Sequence, residues 1–490
     1  MVALGNGNLA EISKTADVPA YDRGALTPGI AHFGVGNFHR AHQCVYLDDL
    51  FATGAGHDFA VVGLGVRPEE KAAFADLTAQ DGLYTVTEVD EGVRRTRVIG
   101  SVVRLVEPGD RAATMAVLTD PAIRIVTLTI TEGGYYLSGD KPNLDHPDLA
   151  ADAADLSASR TVFGLIVAAL AERQKAGTAP FTVLCCDNLP HNGDLTRKLV
   201  TGLASKADAA LADHIETAVA FPNSMVDRIT PATTPAQAQS LREETGIEDK
   251  RPVFCEPFIQ WVVEENFCNG RPALETVGVT FVEDVTPYEL MKLRILNAGH
   301  ATIAYPAALL GLTYAHDAMR DDLVLRFFRD VEENELLPTA PGIEGVSRED
   351  YLATVTSRFA NPAIADTLRR LALDGSNRQP KFILPSVRER LARGEDISGL
   401  ALVGALWCRY CYGTLEDGTA IEPNDPNWDA LQAAARTAKD EPRRFLEQRD
   451  IFGDLAENPV YAGAFSGHLK ALWRDGVRPV LEGYLAHRAG

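Results

Sequence analysis

The chain has 490 residues, enough for two or three domains with sizeable cores, and its composition is that of an ordinary globular protein. With 68 acidic against 47 basic side chains, its net charge of -21 argues against nucleic acid or an anionic membrane as a partner. Seven cysteines without framework spacing fit a reducing compartment. No apolar run reaches the ~18 residues of a membrane span, and MVALGNGNLAEISK holds no uninterrupted signal-peptide core, so a cytoplasmic location is expected.

Up to about residue 283, short β-rich runs alternate with helical stretches. The runs are GIAHFGVG, DFAVVGLGV, IRIVTLTI, FTVLCCD and AVAFP, with segments such as AHQCVYLDDLFATG and TVFGLIVAALAERQKAG between them. That alternation predicts βαβ units on a Rossmann-like parallel sheet. LYTVTEVDEGVRRTRVIGSV breaks the rhythm and reads as two antiparallel strands around Asp90-Glu91-Gly92, added to the sheet. FCEPFIQWVVEE with LETVGVTFVED reads as a second antiparallel addition.

The first run ends in Gly34-Val35-Gly36-Asn37-Phe38-His39-Arg40 and continues as a helix. Two glycines at a strand-to-helix turn let the backbone approach a pyrophosphate, which the helix N-terminus attracts. His39 stands where the general fingerprint has a third glycine, and Arg40 is placed to add a charge-assisted bond to a phosphate or to be solvated. The second run ends at Arg67-Pro68-Glu69-Glu70. A carboxylate there binds ribose hydroxyls and repels a 2′-phosphate; Glu69 is the first choice and Glu70 the next. Arg67 can also hold that phosphate, so NAD is favoured with NADP left open.

After Thr286 the pattern turns helical: Ser347-Arg348-Glu349-Asp350 reads as a capping box, Asn361-Pro362 as a cap and first position, and DTLRRLAL, DALQAAARTA and HLKALWRDGVRPVLEGYL have helical periodicity. Two domains are expected, 1–283 dinucleotide-binding and 284–490 mostly helical and substrate-binding. The CxxC of Cys408 and Cys411 lies in an apolar helical run and reads as packing.

At that boundary stands MKLRILNAGH, residues 291 to 300, introduced by the capping signal Thr286-Pro287-Tyr288-Glu289 and expected to run to about Tyr305, before Pro306. At roughly 100° per residue, Lys292, Asn297 and His300 fall within an arc of about 140° and can face one cavity. The alternative is ordinary: Lys292 snorkels beside Arg294, Asn297 bonds back to its helix, and His300 is a satisfied core histidine.

Three further stretches bear on that choice: Thr129-Ile130-Thr131-Glu132-Gly133-Gly134-Tyr135, Cys186-Asp187-Asn188-Leu189-Pro190-His191, and Asn223-Ser224-Met225-Val226-Asp227-Arg228-Ile229-Thr230-Pro231. With GVGNFHRAH and the K-x4-N-x2-H of the lysine helix, they resemble the mannitol dehydrogenase family, the polyol-specific long-chain dehydrogenases/reductases, in order and over nearly the whole chain. The resemblance implies a nucleotide-binding domain, a mostly helical C-terminal domain and a metal-independent active site between them. It implies Lys292 as general base, Asn188 and Asn297 as holders of the reacting oxygen, and His300 as orienter of substrate. Asp227 and Arg370 are implied to meet the other hydroxyls, with Lys381 or Arg378 as a further basic contact. Glu132 is a candidate to pass the lysine's proton to water, or else a structural ion-pair member. The cofactor contacts expected are Gly34, Gly36, Phe38, His39, Arg40, Glu69 or Glu70, and Thr129.

The chemistry fits these residue types independently. Oxidising a secondary alcohol removes a hydroxyl proton and a hydride from one carbon. A free lysine has a pKa of about 10.4, and desolvation or nearby positive charge makes it a base. Two carboxamides stabilise the developing alkoxide without a metal. The expected substrate pair is a neutral polyol and its ketose, mannitol/fructose first and arabinitol/xylulose second, on a monomer with homo-oligomers left open. The alternatives are a hexuronate reductase acting on fructuronate or tagaturonate, for which Asp227 is unwelcome, a Schiff-base lyase using Lys292, and a non-enzymatic NAD or sugar sensor.

Overall fold

Five β-rich runs become parallel strands: β1 Pro28–Phe33, β2 Ala60–Leu64, β3 Val102–Val106, β4 Ile125–Leu128 and β5 Thr182–Cys185. In this computed structural model, which describes residues 1–138 and 141–488, they lie in the order β5-β4-β1-β2-β3. Winding reverses between β1 and β4, so the chain leaves these two neighbours in opposite directions and opens a crevice at their carboxyl ends. Alternate residues explain why the runs are apolar throughout. Ala31, Phe33, Val62, Leu64, Val126, Leu128 and Val183 enter one core, whereas Ile30, Val61, Ile125 and Leu184 enter another. Both faces of the sheet are therefore covered, as parallel sheets require.

The chain divides into two compact units, Met1–Thr286 and Pro287–Gly490. In the first, the expected hairpin forms from Tyr84–Asp90 and Val93–Ile99, but it does not join the parallel sheet. It builds its own three-stranded sheet with Val253–Cys255. Gln260–Glu264 likewise makes a separate sheet, antiparallel to Ser224–Asp227 and parallel to Thr280–Val282. AVAFP adds no sixth ladder strand: Val183 N–H donates to the Ala220 carbonyl at 3.0 Å, and Pro222 then has no N–H to continue.

The second unit is helical, with no strand among its described residues. Ser347 caps Arg348–Ala360 by accepting from Asp350 N–H at 3.0 Å. Asn361 ends that helix instead of starting another, its side chain accepting from Ala363 N–H in a turn. The lysine helix starts at Thr286, passes through a π-helical stretch at Lys292–Asn297, and continues as Ala298–Leu309. It runs past Pro306, which lies in its last turn and brings no N–H for the Thr302 carbonyl. Cys408 and Cys411 are buried free thiols in the helix Ser398–Cys411.

Candidate active site

The glycine turn after β1 is built as a backbone surface. Gly34 has φ +93°, and a Cβ there would collide with the Thr129 carbonyl, so neither conformation nor space admits a side chain. Gly36 is exposed, and a Cβ on it would meet only the Gly34 oxygen, at 3.8 Å. A ligand can therefore approach the main chain at Gly36, ahead of the helix Asn37–Ala41.

The side chains beneath the turn are committed to the protein. His32 bonds Thr127 Oγ1 through Nδ1 at 2.7 Å, and its Nε2 lies 3.0 Å from both the Gly34 oxygen and Thr129 Oγ1. The Thr129 hydroxyl donates to the same Gly34 oxygen at 2.7 Å. His39, expected at the cofactor, is fully buried, its ring stacked on His32 at 3.3 Å. Burial pushes the His32 pKa down to about 3 and that of His39 well below its ordinary value, so both are neutral. Arg40 is also buried: it donates to the Arg251 carbonyl and to Asn37 Oδ1, and its guanidinium lies 5.0 Å from the Tyr84 ring. His39 and Arg40 thus support the turn from below. Phe38 is half-buried against His42, with ring centroids 4.9 Å apart.

At the end of β2 the two candidate acids have different surroundings. Glu70 Oε2 accepts from Val66 and Arg67 N–H at 2.8 and 3.2 Å, closing its own turn. Glu69 is exposed and carries no such duty.

The loops after β4 and β5 carry Glu132 and Asn188, both exposed. Each loop holds a non-glycine residue at positive φ, Thr131 at +64° and His191 at +48°. Thr131 has ψ 163°, a region almost reserved for glycine, so this loop stores strain of order 1–3 kcal/mol. Glu132 makes no ion pair among the described residues. Asp227 is buried at the end of its strand, paired in register with Gln260.

In the second unit, Lys292 and Asn297 are each 7 % exposed, which rules out a lysine snorkelling to water. The amide nitrogen of Asn297 and Nε2 of His300 are buried without a hydrogen-bond partner, so neither back-bonding by that amide nor a satisfied core histidine describes them. The His300 ring stacks on Phe359 at 4.2 Å. Burial, then the charges of Arg370, Arg358, Arg378 and Lys292, hold His300 far below its ordinary pKa and therefore neutral. Asp366 clamps Arg370 through both carboxylate oxygens, one of them 2.5 Å from Nε. Arg378 donates to the Leu371 and Arg370 carbonyls at 3.1 and 3.3 Å. Lys381 is half-buried and is not among the charges that dominate at His300.

Three features escaped the sequence. Arg358 and Phe359 end a helix whose periodicity gave them no special place. The Asp366–Arg370 pair did leave a signal that could have been found, an i,i+4 spacing of opposite charges. The π stretch was not, because apolar residues surround that helix and hide its phase.

The family model described as "Mannitol dehydrogenase Rossmann domain" matches residues 28–276, and "Mannitol dehydrogenase C-terminal domain" matches 284–473. The chain belongs to the mannitol dehydrogenase family. Among curated members of the family, the mannitol 2-dehydrogenase of Cereibacter sphaeroides is 54% identical over 97% of this chain and 100% of its own length. That of Phaeosphaeria nodorum is 40% identical over 98% of this chain and 85% of its own. Among solved structures, the Pseudomonas fluorescens mannitol 2-dehydrogenase ternary complex with NAD and D-mannitol matches with TM-score 0.90 and 40% identity, over 99% of this chain and 100% of that one. A substrate-free D-sorbitol dehydrogenase matches with TM-score 0.89 and 35% identity, over 98% of this chain and 100% of that one.

Proposed function

We propose that the protein is an NAD-dependent polyol dehydrogenase that interconverts D-mannitol and D-fructose, with Lys292 as general base and no catalytic metal. The observation that carries this reading is the pair of buried, unpartnered atoms, Asn297 Nδ2 and His300 Nε2, on the helix that holds Lys292. Buried polar groups without partners are costly, and a polyhydroxylated substrate supplies the missing partners. The three mannitol 2-dehydrogenases named above support mannitol as the polyol.

The residues of the turn fit a dinucleotide: Gly34 and Gly36 leave the backbone open to a pyrophosphate, and Glu69 is free to take the ribose hydroxyls. Glu70, engaged in its own turn, is the weaker candidate, and NADP is disfavoured by the Glu69 charge. Bound NAD⁺ supplies the hydride acceptor. Lys292 takes the hydroxyl proton. Asn297 and Asn188 donate to the oxygen as it gains charge. Neutral His300 donates or accepts at a neighbouring hydroxyl, Asp227 and Arg370 take others, and Glu132, exposed on its loop, passes the lysine's proton to water. Arg378, whose charge reaches His300, is preferred to Lys381 as the additional cation.

The positive surround of His300 is the feature that favours a hexuronate substrate instead. One panel decides: reduction of NAD and NADP with mannitol, arabinitol and other polyols, and oxidation of NADH with fructose, fructuronate and tagaturonate. Mannitol and fructose should lead with NAD, and turnover should survive prolonged EDTA treatment. Uronate preference, or activity that only zinc restores, would contradict the proposal. Covalent trapping of a carbonyl substrate by borohydride at Lys292 would move the protein to the Schiff-base class.

A further inference from the structure

Asp187 directly precedes Asn188, and its carboxylate lies buried between the loops after β4 and β5. Its Oδ1 accepts from Thr131 N–H at 2.9 Å, and its Oδ2 accepts from Ile130 N–H at 3.0 Å and from the Tyr135 hydroxyl at 2.6 Å. All three donors belong to the segment that brackets Glu132, and the two amides are those leading into the strained Thr131 backbone. The main chain of Asp187 is tied as well: its carbonyl accepts from Leu189 N–H at 2.9 Å and from the Asn192 amide at 3.0 Å. Asn192 is itself fixed to Ser224, accepting from its N–H at 2.9 Å and donating to its carbonyl at 2.8 Å. Glu132 is near enough for its charge to act on Asp187.

We infer that Asp187 is a positioning residue, a buried three-bond clasp that fastens the strained Glu132 loop to the loop presenting Asn188, so that proton acceptor and amide donor are placed by one group. A strained conformation persists only where its surroundings over-determine it, and here the carboxylate is the group that receives both amides of the strained segment. A carboxylate alone can accept from three donors in this way; an amide of the same shape turns N–H groups toward at least one of them. The inference rests on the roles proposed above for Glu132 and Asn188, and the experiment separates the two.

The test is steady-state oxidation of D-mannitol, with NADH affinity measured by fluorescence titration and folding by thermal melting, for Asp187→Asn, Thr131→Gly, Glu132→Gln and Asn188→Ala in the full chain. Asp187→Asn should lower kcat by ~10², the usual worth of one misplaced donor, with NADH affinity kept within about threefold. A packing residue would not divide kcat from cofactor binding in this way. Thr131→Gly suits the observed backbone and leaves both amides on Asp187, so it should keep kcat within about threefold. A ~10² loss in Thr131→Gly would show that the threonine, not the clasp, sets the loop, and this decides the matter however Asp187→Asn folds. If Glu132→Gln and Asn188→Ala both impair kcat while Asp187→Asn does not, the clasp is wrong and the site reading stands. If Glu132→Gln and Asn188→Ala are both silent, the site reading fails, and the clasp fails with it.

Discussion

The glycine turn and the lysine helix offer different groups to a ligand. Beneath the glycine turn, both ring nitrogens of His32, the Thr129 hydroxyl and two nitrogens of Arg40 are held by protein acceptors or donors, and what faces outward is bare backbone at Gly36. On the lysine helix, Asn297 Nδ2 and His300 Nε2 are buried and left without partners. The first arrangement suits a ligand bound by main-chain N–H groups, where side chains only hold the shape. The second suits a ligand whose own hydroxyls complete the hydrogen bonds, and leaving each group unmade costs about 1–3 kcal/mol in its absence. Cofactor and substrate ends should therefore respond differently to mutation.

Apart from loss of Lys292 itself, the largest expected effect falls on the amides. Asn297→Ala and Asn188→Ala should each lower kcat by ~10²–10³, and the double variant should lose less than the product if both serve one oxygen. The Asn297→Ala protein should melt within a few degrees of the parent, because the deleted nitrogen has no partner to lose. A fall in stability with unchanged kcat would reverse the contrast.

Buried carboxylates sharpen it next. Glu335 accepts from Gly399 and Leu400 N–H at 2.8 and 2.9 Å, yet burial, outweighing those bonds and Arg488, raises its pKa from the ordinary 4.5 to about 7. The folded state then holds a proton that the unfolded state has released. Stability from this group is complete below about pH 4.5 and is lost as pH rises to about 7, a change of about 3 kcal/mol. Urea unfolding across that range should show the falling limb, and Glu335→Gln should make it shallower, the part due to buried Glu332 remaining. Equal slopes for the two proteins would remove Glu335 from the account.

A smaller effect is expected at the cofactor end. Glu69→Lys should raise the NADP/NAD ratio of kcat/KM about tenfold, by exchanging a repulsive carboxylate for a phosphate partner, with kcat for mannitol little changed. Glu70→Lys should instead disturb the turn, since Glu70 receives Val66 and Arg67 N–H. If Glu69→Lys leaves the ratio unmoved, the ribose contact lies elsewhere.

How much of this was legible depended on whether the signal was local. The parallel strands, the glycine turn and the cap at Ser347 are written in nearby residues, and the structure keeps them. The hairpin of Tyr84–Ile99 was legible as a hairpin, but its partner Val253–Cys255 lies far along the chain, so its separate sheet was not. Asn361-Pro362 carries the residues of a helix start, and tertiary context made it a helix end. His39 and Arg40 sit at cofactor positions in the motif, and only their burial reveals that they support the turn. Glu69 and Glu70 are chemically alike, and Arg378 and Lys381 share a charge; hydrogen bonds and electrostatic reach distinguish them, and neither is a property of sequence spacing.

The most direct test of the division of labour is Lys292→Ala, assayed for NADH binding and for D-mannitol oxidation across pH. Affinity for NADH should stay within about threefold of the parent, while kcat falls by ~10²–10⁴ and added small primary amines restore part of it with a profile that follows the amine's own pKa. Near-normal kcat with an unaltered pH profile would show that the lysine helix is packing and that the unpartnered atoms beside it do not mark the reacting oxygen.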